Sequence, residues 1–298
     1  MGKIITIPSD TTVQGALETM LENKLRSVIS FKDVNDPKSI CCIEMSDILK
    51  IILDLYSESD MYIEKDFMYI LRNSDHSSLR KLRAIDVSNI AGNASFAVVQ
   101  EGSSILSVAS IMGTRGVRRV LVINDAGVLV NIITQSSVLE LLMENRQELG
   151  PKLDQTLFQL GCGGKPVISI KAGESTIVGF RKIVDNRFTA VAVVDDETEE
   201  LIGSISLRDI ESLVHLKQRI KILYERADMF IRENSNHAQG QGVSCTPLST
   251  MREVLEKMHA SDSRRLWICN KKKVPIGVVT ITDIIELISP DNNSAENV

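Results

Sequence analysis

No Cys-x-x-Cys pair, no apolar run of membrane-spanning length and no excess of one charge sign occurs in these 298 residues. Each absence removes a class of protein. The five cysteines, Cys41, Cys42, Cys162, Cys245 and Cys269, are odd in number and lack metal or disulfide spacing. They read as small buried apolar residues of a reduced intracellular protein. The stretch Met1 to Pro8 has a lone Lys3 and an apolar segment too short for a secretory signal. Apolar stretches such as Ile48 to Leu53 are broken by Lys50, so no membrane span is expected. Lysine and arginine number 34 against 39 acidic residues, a net charge of −5, which gives no general attraction to nucleic acid or anionic membranes. Four histidines, His76, His215, His237 and His259, lack metal-ligand spacing, and no metal is expected. Ser103-Ser104 and Ser136-Ser137 have no paired histidine to activate a nucleophile. The glycine-rich Gly161-Cys-Gly-Gly164 lacks the Lys-Ser/Thr of a phosphate loop and is expected to be a turn.

What remains is apolar enough, at 43% hydrophobic residues, to bury a sizeable core. Its pattern repeats four times. Each unit opens with a short strand and turns into an amphipathic helix with one apolar face. Those faces are Val13, Ala16, Leu17, Met20; Ile105, Val108, Ala109, Met112; Ile177, Phe180, Val184; and Met251, Val254, Leu255, Met258. Thr250 and Glu253 have the spacing of a capping box. Two further strands and a last helix follow. From the first apolar helix residue to the start of that helix is 31 residues in repeat one (13 to 44) and 29 in the others (105 to 134, 177 to 206, 251 to 280). A register kept four times identifies a repeat architecture.

The unit is β-α-β-β-α, too small to be stable alone, so the units are expected to pair. The first pair is placed at 1–150, with repeats at about 1–58 and 85–147 and an insertion at 56–84. The second is placed at 151–298, with repeats at about 160–216 and 240–290. Gly150-Pro151 marks the boundary. The fold class is α/β, four repeats in two pairs, each joined across strand and helix surfaces, forming a flat disc.

Val117-Arg-Arg-Val-Leu-Val-Ile-Asn124 with Ile132-Ile-Thr-Gln-Ser-Ser137 resembles a CBS repeat. So does Ser263-Arg-Arg-Leu-Trp-Ile-Cys-Asn270 with Gly277-Val-Val-Thr-Ile-Thr-Asp283, and so does Gly203-Ser-Ile-Ser-Leu-Arg-Asp209. Four such repeats resemble the γ regulatory subunit of AMP-activated and SNF1-type protein kinases, and most resemble plant-type γ-like proteins. The resemblance implies two paired (Bateman) modules, no catalysis, and an adenine nucleotide (AMP, ADP or ATP) as regulatory ligand. It implies kinase catalytic and scaffold subunits as partners, and energy sensing in the cytoplasm or nucleus. Nucleic acid and membrane are not expected partners, and a homodimer is compatible with the pattern.

In that family a Ser/Thr-x-x-Asp motif opens the last helix of a repeat. A carboxylate there can accept both ribose hydroxyl protons, while the helix N-terminus favours a phosphate. Repeat three offers Ser206 and Asp209, and repeat four Thr280 and Asp283. Repeat one keeps Asp47 but has Glu44 in place of the hydroxyl. Repeat two keeps Thr134 but has Ser137 in place of the aspartate. The same motif is also an ordinary helix cap, and the two roles are compatible. By the same resemblance, Arg118, Arg119, Arg264, Arg265 and Arg26 stand where phosphate-facing cations are found; the alternative is a solvated arginine at a strand edge. Repeat three has Thr189 and Ala190 there. Two readings stay open. One is a nucleotide sensor working through the second pair; the other is an interaction scaffold of the same fold with little or no nucleotide binding.

Overall fold

The computed structural model describes residues 4–31, 39–55, 82–88, 96–210, 220–234 and 242–288. The expected insertion at 56–84 falls mostly outside them. Among the described residues the repeat grammar is carried out four times. Repeat one is β1 (Thr6–Ile7), α1 (Val13–Glu22), β2 (Ser27–Phe31), β3 (Ile40–Glu44) and α2 (Met45–Leu55). Repeat two is β4 (Phe96–Gln100), α3 (Ile105–Arg115), β5 (Arg119–Ile123), β6 (Leu129–Thr134) and α4 (Gln135–Glu144). Repeat three is β7 (Ser169–Lys171), α5 (Thr176–Asp185), β8 (Ala190–Val194), β9 (Leu201–Ser206) and a helix entered at 207. After it come a 3-10 turn (Ile220–Tyr224) and α6 (Ala227–Asn234). Repeat four is β10 (Ser244–Cys245), α7 (Met251–Ala260), β11 (Arg265–Cys269), β12 (Pro275–Thr280) and α8 (Ile281–Ile288).

Local chemistry sets the helix starts. Thr12 accepts from the Gly15 N–H at 3.1 Å and Ser104 from the Ser107 N–H at 3.1 Å. Thr250 and Glu253 close the capping box reciprocally. The apolar faces read from the sequence are buried as expected, apart from Ile105, which is 41% exposed in the first turn of α3. Trp267 and three cysteines, Cys42, Cys245 and Cys269, are buried, while Cys41 and Cys162 are half-buried.

Each repeat forms its own three-stranded sheet. The first strand runs parallel to the middle one, and the third runs antiparallel to it. The register is the same in all four: Ser27 faces Glu44, Arg119 faces Thr134, Ala190 faces Ser206 and Arg265 faces Thr280. Opposed residues in an antiparallel pair share one sheet face. The start of every middle strand therefore lies beside the start of every last helix.

The sheets pair as the fold class implies. Ile29 and Cys42 pack on Leu121 between repeats one and two. Ala190, Ala192 and Val194 pack on Trp267 and Cys269 between repeats three and four. The helices depart from expectation. Among the described residues their large apolar cores join one pair to the other. One large core merges α1 and α2 with α5 and α6, and the second merges α3 and α4 with α7 and α8. The sheet-to-sheet clusters are small, so each pair has too little apolar surface there to bury its helix faces, which must find the other pair. Phe180 meets Phe230 edge-on at 6.0 Å within the first core.

Gly113 sits where α3 crosses α8. A Cβ there would lie 2.8 Å from the Glu286 Cα. Gly113→Ala is expected to push the helices apart at a cost of roughly 1–3 kcal/mol. Thermal unfolding checks it, and an unchanged midpoint would show that the crossing is loose. The Gly161-Cys-Gly-Gly164 turn has a packing reason as well. Gly163 has φ +89° and presses on Ile268, where a Cβ would come within 1.9 Å of the Cδ1 atom.

Candidate functional site

The matched registers bring the candidate residues of all four repeats to one place. A central cavity of about 1070 Å³ is lined by Arg26, Arg118, Arg119 and Thr134 from the first pair. From the second pair come Ser206, Arg264, Arg265 and Thr280. The three aspartates of the motif, Asp47, Asp209 and Asp283, stand behind this wall and cap their own helices. The Glu44 N–H donates to Asp47 Oδ2 at 2.9 Å. Ser206 donates both its N–H (2.6 Å) and its hydroxyl (3.0 Å) to Asp209 Oδ2. Thr280 does the same to Asp283 Oδ2, at 2.7 Å for each bond. In repeat two, which lacks the carboxylate, Thr134 Oγ1 accepts from the Ser137 N–H at 3.2 Å. The capping role is thus realised in every repeat.

Three features escaped the sequence. Glu44, only 4% exposed, receives Arg118 at 2.7 Å on one carboxylate oxygen and Arg119 on the other. The acid that replaces repeat one's hydroxyl is matched by the arginine pair of repeat two. That complementary exchange between neighbouring repeats was the available signal. Second, Lys165 donates to Asp283 Oδ1 at 2.5 Å. It therefore holds the oxygen that a ribose would need. Third, Arg208 lines the cavity and pairs with Asp262 at 2.7 Å.

The arginines are not solvated strand-edge residues. Arg118 and Arg119 side chains are 23% and 13% exposed. Arg265 donates to the Thr189 hydroxyl across the second pair at 2.6 Å. Arg264 Nε is buried without a hydrogen-bond partner among the described residues. Burial first, and then the guanidinium groups of Arg26, Arg208 and Arg119, push Arg264 down to about 9. Burial, then Arg26, Arg118 and Arg208, push Arg265 down to about 10. Among the described residues ten lysines and arginines line the cavity against two carboxylates, Glu44 and Asp262. A concave wall of one sign concentrates counter-ions of the other. In a chain with net charge −5, this is a local concentration of positive charge.

Nucleophilic chemistry is not served here. The Cys162 thiol is pushed up to about 11, mainly by burial and next by Asp283, so it stays protonated at neutral pH. Among the described residues no group of three or more His, Cys, Asp or Glu could hold a metal ion. Nor is any described helix long and apolar enough to cross a membrane.

Four paired β-α-β-β-α units around a shared cationic centre define a class of regulatory ligand-binding repeat. The CBS domain model matches residues 2–54, 87–144, 164–215 and 242–290, so the chain belongs to the CBS domain family. Such repeats are regulatory, not catalytic. Among curated proteins it is similar to Protein SDS23 of Candida albicans, 27% identical over 91% of this chain and 47% of that protein. It is also similar to Protein SDS24 of Saccharomyces cerevisiae, 26% identical over 89% of this chain and 53% of that protein. The chain thus spans about half the length of these relatives. Among solved structures it shares its fold with MJ1225 of Methanocaldococcus jannaschii, presented as a proposed archaeal homologue of γ-AMPK. That match has a TM-score of 0.71 and 18% identity, covering 96% of both chains. An uncharacterized conserved protein from Pyrococcus horikoshii matches with a TM-score of 0.53 and 16% identity, covering 97% of this chain and 96% of that one.

Proposed function

We propose that the protein is a non-catalytic regulatory subunit that senses adenine nucleotides and controls an AMP-activated or SNF1-type protein kinase. The units of sensing are the two pairs, 1–150 and 151–298, and the place of action is the cytoplasm or nucleus. The convergence of cations and helix-opening hydroxyls from all four repeats on one cavity carries this reading. Arg264 and Arg265 would meet the phosphates, the N-termini of the last helices would add their dipoles, and Asp283 and Asp209 would take ribose hydroxyls. The fold shared with a proposed γ-AMPK homologue supports the kinase partner.

A scaffold without ligand is the second reading. The observation behind it is that Glu44 and Lys165 already offset Arg118, Arg119 and Asp283 from within the chain. Calorimetric titration with AMP, ADP and ATP separates the two: saturable binding is expected. A pull-down from native extract is expected to recover a kinase catalytic subunit. No heat with any of the three nucleotides would leave the scaffold.

A further inference from the structure

Three of the four repeats carry a strap of backbone across the start of their first helix. Residues 82–84 cross α1, residues 225–227 cross α5 and residues 155–157 cross α7. All three make the same antiparallel bridge. The first helical N–H donates to the strap: Val13 to the Leu82 carbonyl at 3.0 Å, Thr176 to Glu225 at 2.9 Å and Met251 to Gln155 at 3.0 Å. Two residues on, the strap N–H donates back to the residue before the N-cap. Ala84 reaches Thr11 at 2.8 Å, Ala227 reaches Glu174 at 2.9 Å and Leu157 reaches Ser249 at 3.0 Å. The strap covers the helix start, so Val13, Thr176 and Met251 are buried. Repeat two opens its first helix with the same kind of N-cap, Ser104. Among the described residues, none bridges Ser103 and Ile105, the equivalent positions. Ile105 and Leu106 are accordingly 41% and 54% exposed.

The three straps share a sequence pattern. Counting from the residue whose carbonyl accepts, the second residue on is Ala or Leu and the fifth is apolar. These pairs are Ala84 and Val87, Ala227 and Phe230, and Leu157 and Leu160. All are buried except Leu160, which is half-buried against the second core. The pattern occurs a fourth time at Asn293-Ser-Ala-Glu-Asn-Val298, with Ala295 and Val298 in the two apolar places. Those six positions lie outside the described residues. Chain order agrees with the pattern. The strap on α7 of repeat four comes from the chain that follows α4, the last helix of repeat two. Exchanging the pairs assigns α3 of repeat two the chain that follows α8, the last helix of repeat four. The span is short enough. α8 touches α3 at Gly113, which is about 12 Å along the helix from Ile105. Five extended residues from Ile288 to Asn293 reach about 17 Å.

We propose that residues 293–298 are the fourth strap, laying Ala295 and Val298 over the start of α3 and setting Ser294 opposite Ser104. Two backbone hydrogen bonds and two small apolar contacts are too little to hold a free peptide. A segment tethered to α8 meets the same edge at an effective concentration on the order of millimolar, which favours it over any untethered occupant. Each pair would then be strapped by chain arriving from the other.

The test uses the full chain with Ser104→Cys and Ser294→Cys introduced together. Facing residues of such a bridge have Cα atoms about 4.5 Å apart, within the range of a disulfide. Mild oxidation is expected to join the two introduced thiols within one chain, as read by peptide mass spectrometry. Ser104→Cys combined with Ser289→Cys is expected to stay open. Equal linking in that control would overturn the register, and a link between two chains would give the strap to a second copy instead. Hydrogen exchange at the Ile105 amide supplies a measurement without cysteines. It is expected to be about tenfold faster in Ala295→Asp than in the parent, through loss of one hydrogen bond. Equal exchange in the two proteins would show that the start of α3 is left open or is covered by something else.

Discussion

Replacing Asp283 by alanine is expected to weaken nucleotide binding by roughly 10- to 150-fold. The estimate follows from a hydrogen bond to a charged group being worth about 1.5–3 kcal/mol. Asp283 is 9% exposed, and its Oδ2 is taken by the Thr280 N–H and hydroxyl. Oδ1 is the oxygen left for a ribose, once Lys165 swings away. Lys165 can do so at little cost, since its side chain is 56% exposed. The substitution also removes half of a helix cap, so a loss of about 1 kcal/mol in stability should accompany the loss of affinity. Asp209→Ala should matter only if the repeat-three position is filled as well. Asp47→Ala should matter less, because Asp47 is 1% exposed and stands behind the Glu44 carboxylate. Isothermal titration of the three variants decides between the pairs. Wild-type binding by Asp283→Ala together with lost binding by Asp47→Ala would move the working cleft to the first pair.

Arg264→Met is expected to make the empty protein more stable and to cost it about 10- to 100-fold in affinity for ATP. A buried guanidinium whose Nε has no partner among the described residues, set among like charges, is a cost to the fold, and an apolar side chain of similar length relieves it. A rise of roughly 2–4 °C in unfolding temperature corresponds to about 1 kcal/mol in a chain of this size. The pH dependence has a definite sign. In the folded protein Arg264 loses its proton near 9, well below the ordinary arginine range that the unfolded chain keeps. Above about 9 the unfolded state binds more protons, so this residue's contribution to stability improves as pH rises from there. Anion affinity falls over the same window, because the charge that attracts the anion is lost. Both slopes should flatten in Arg264→Met. A lowered unfolding temperature in the variant would mean that Arg264 holds the cavity together instead of straining it.

The order of elements, the four-fold register and the helix faces were legible because they are local. An apolar period of 3.6 residues and a 29-residue interval depend on nothing outside the repeat. The cavity-lining arginines were legible by position, since the register places the start of each middle strand beside the start of each last helix. Their state was not legible. Glu44 meets arginines 74 and 75 residues away, and Lys165 meets an aspartate 118 residues away. Such partners are chosen by tertiary approach, which no local pattern encodes. The joining of helices across the pairs was hidden for the same reason. The apolar face of α2 looks the same whichever neighbour covers it.

That cross-pair joining has a consequence for synthesis. The helix of the other pair that packs on α2 is α5, whose residues are made more than a hundred positions later. At about 5–20 residues per second, the apolar stripe of α2 waits roughly 6–25 seconds for its cover. During that interval the nascent first half can cover Ile48, Leu49 and Ile52, all buried in the finished molecule, only with α1 and its own strands. A ribosome halted after residue 150 should therefore display a chain that recruits hydrophobic-binding chaperones, and release from them should coincide with the emergence of Phe180 and Ile183.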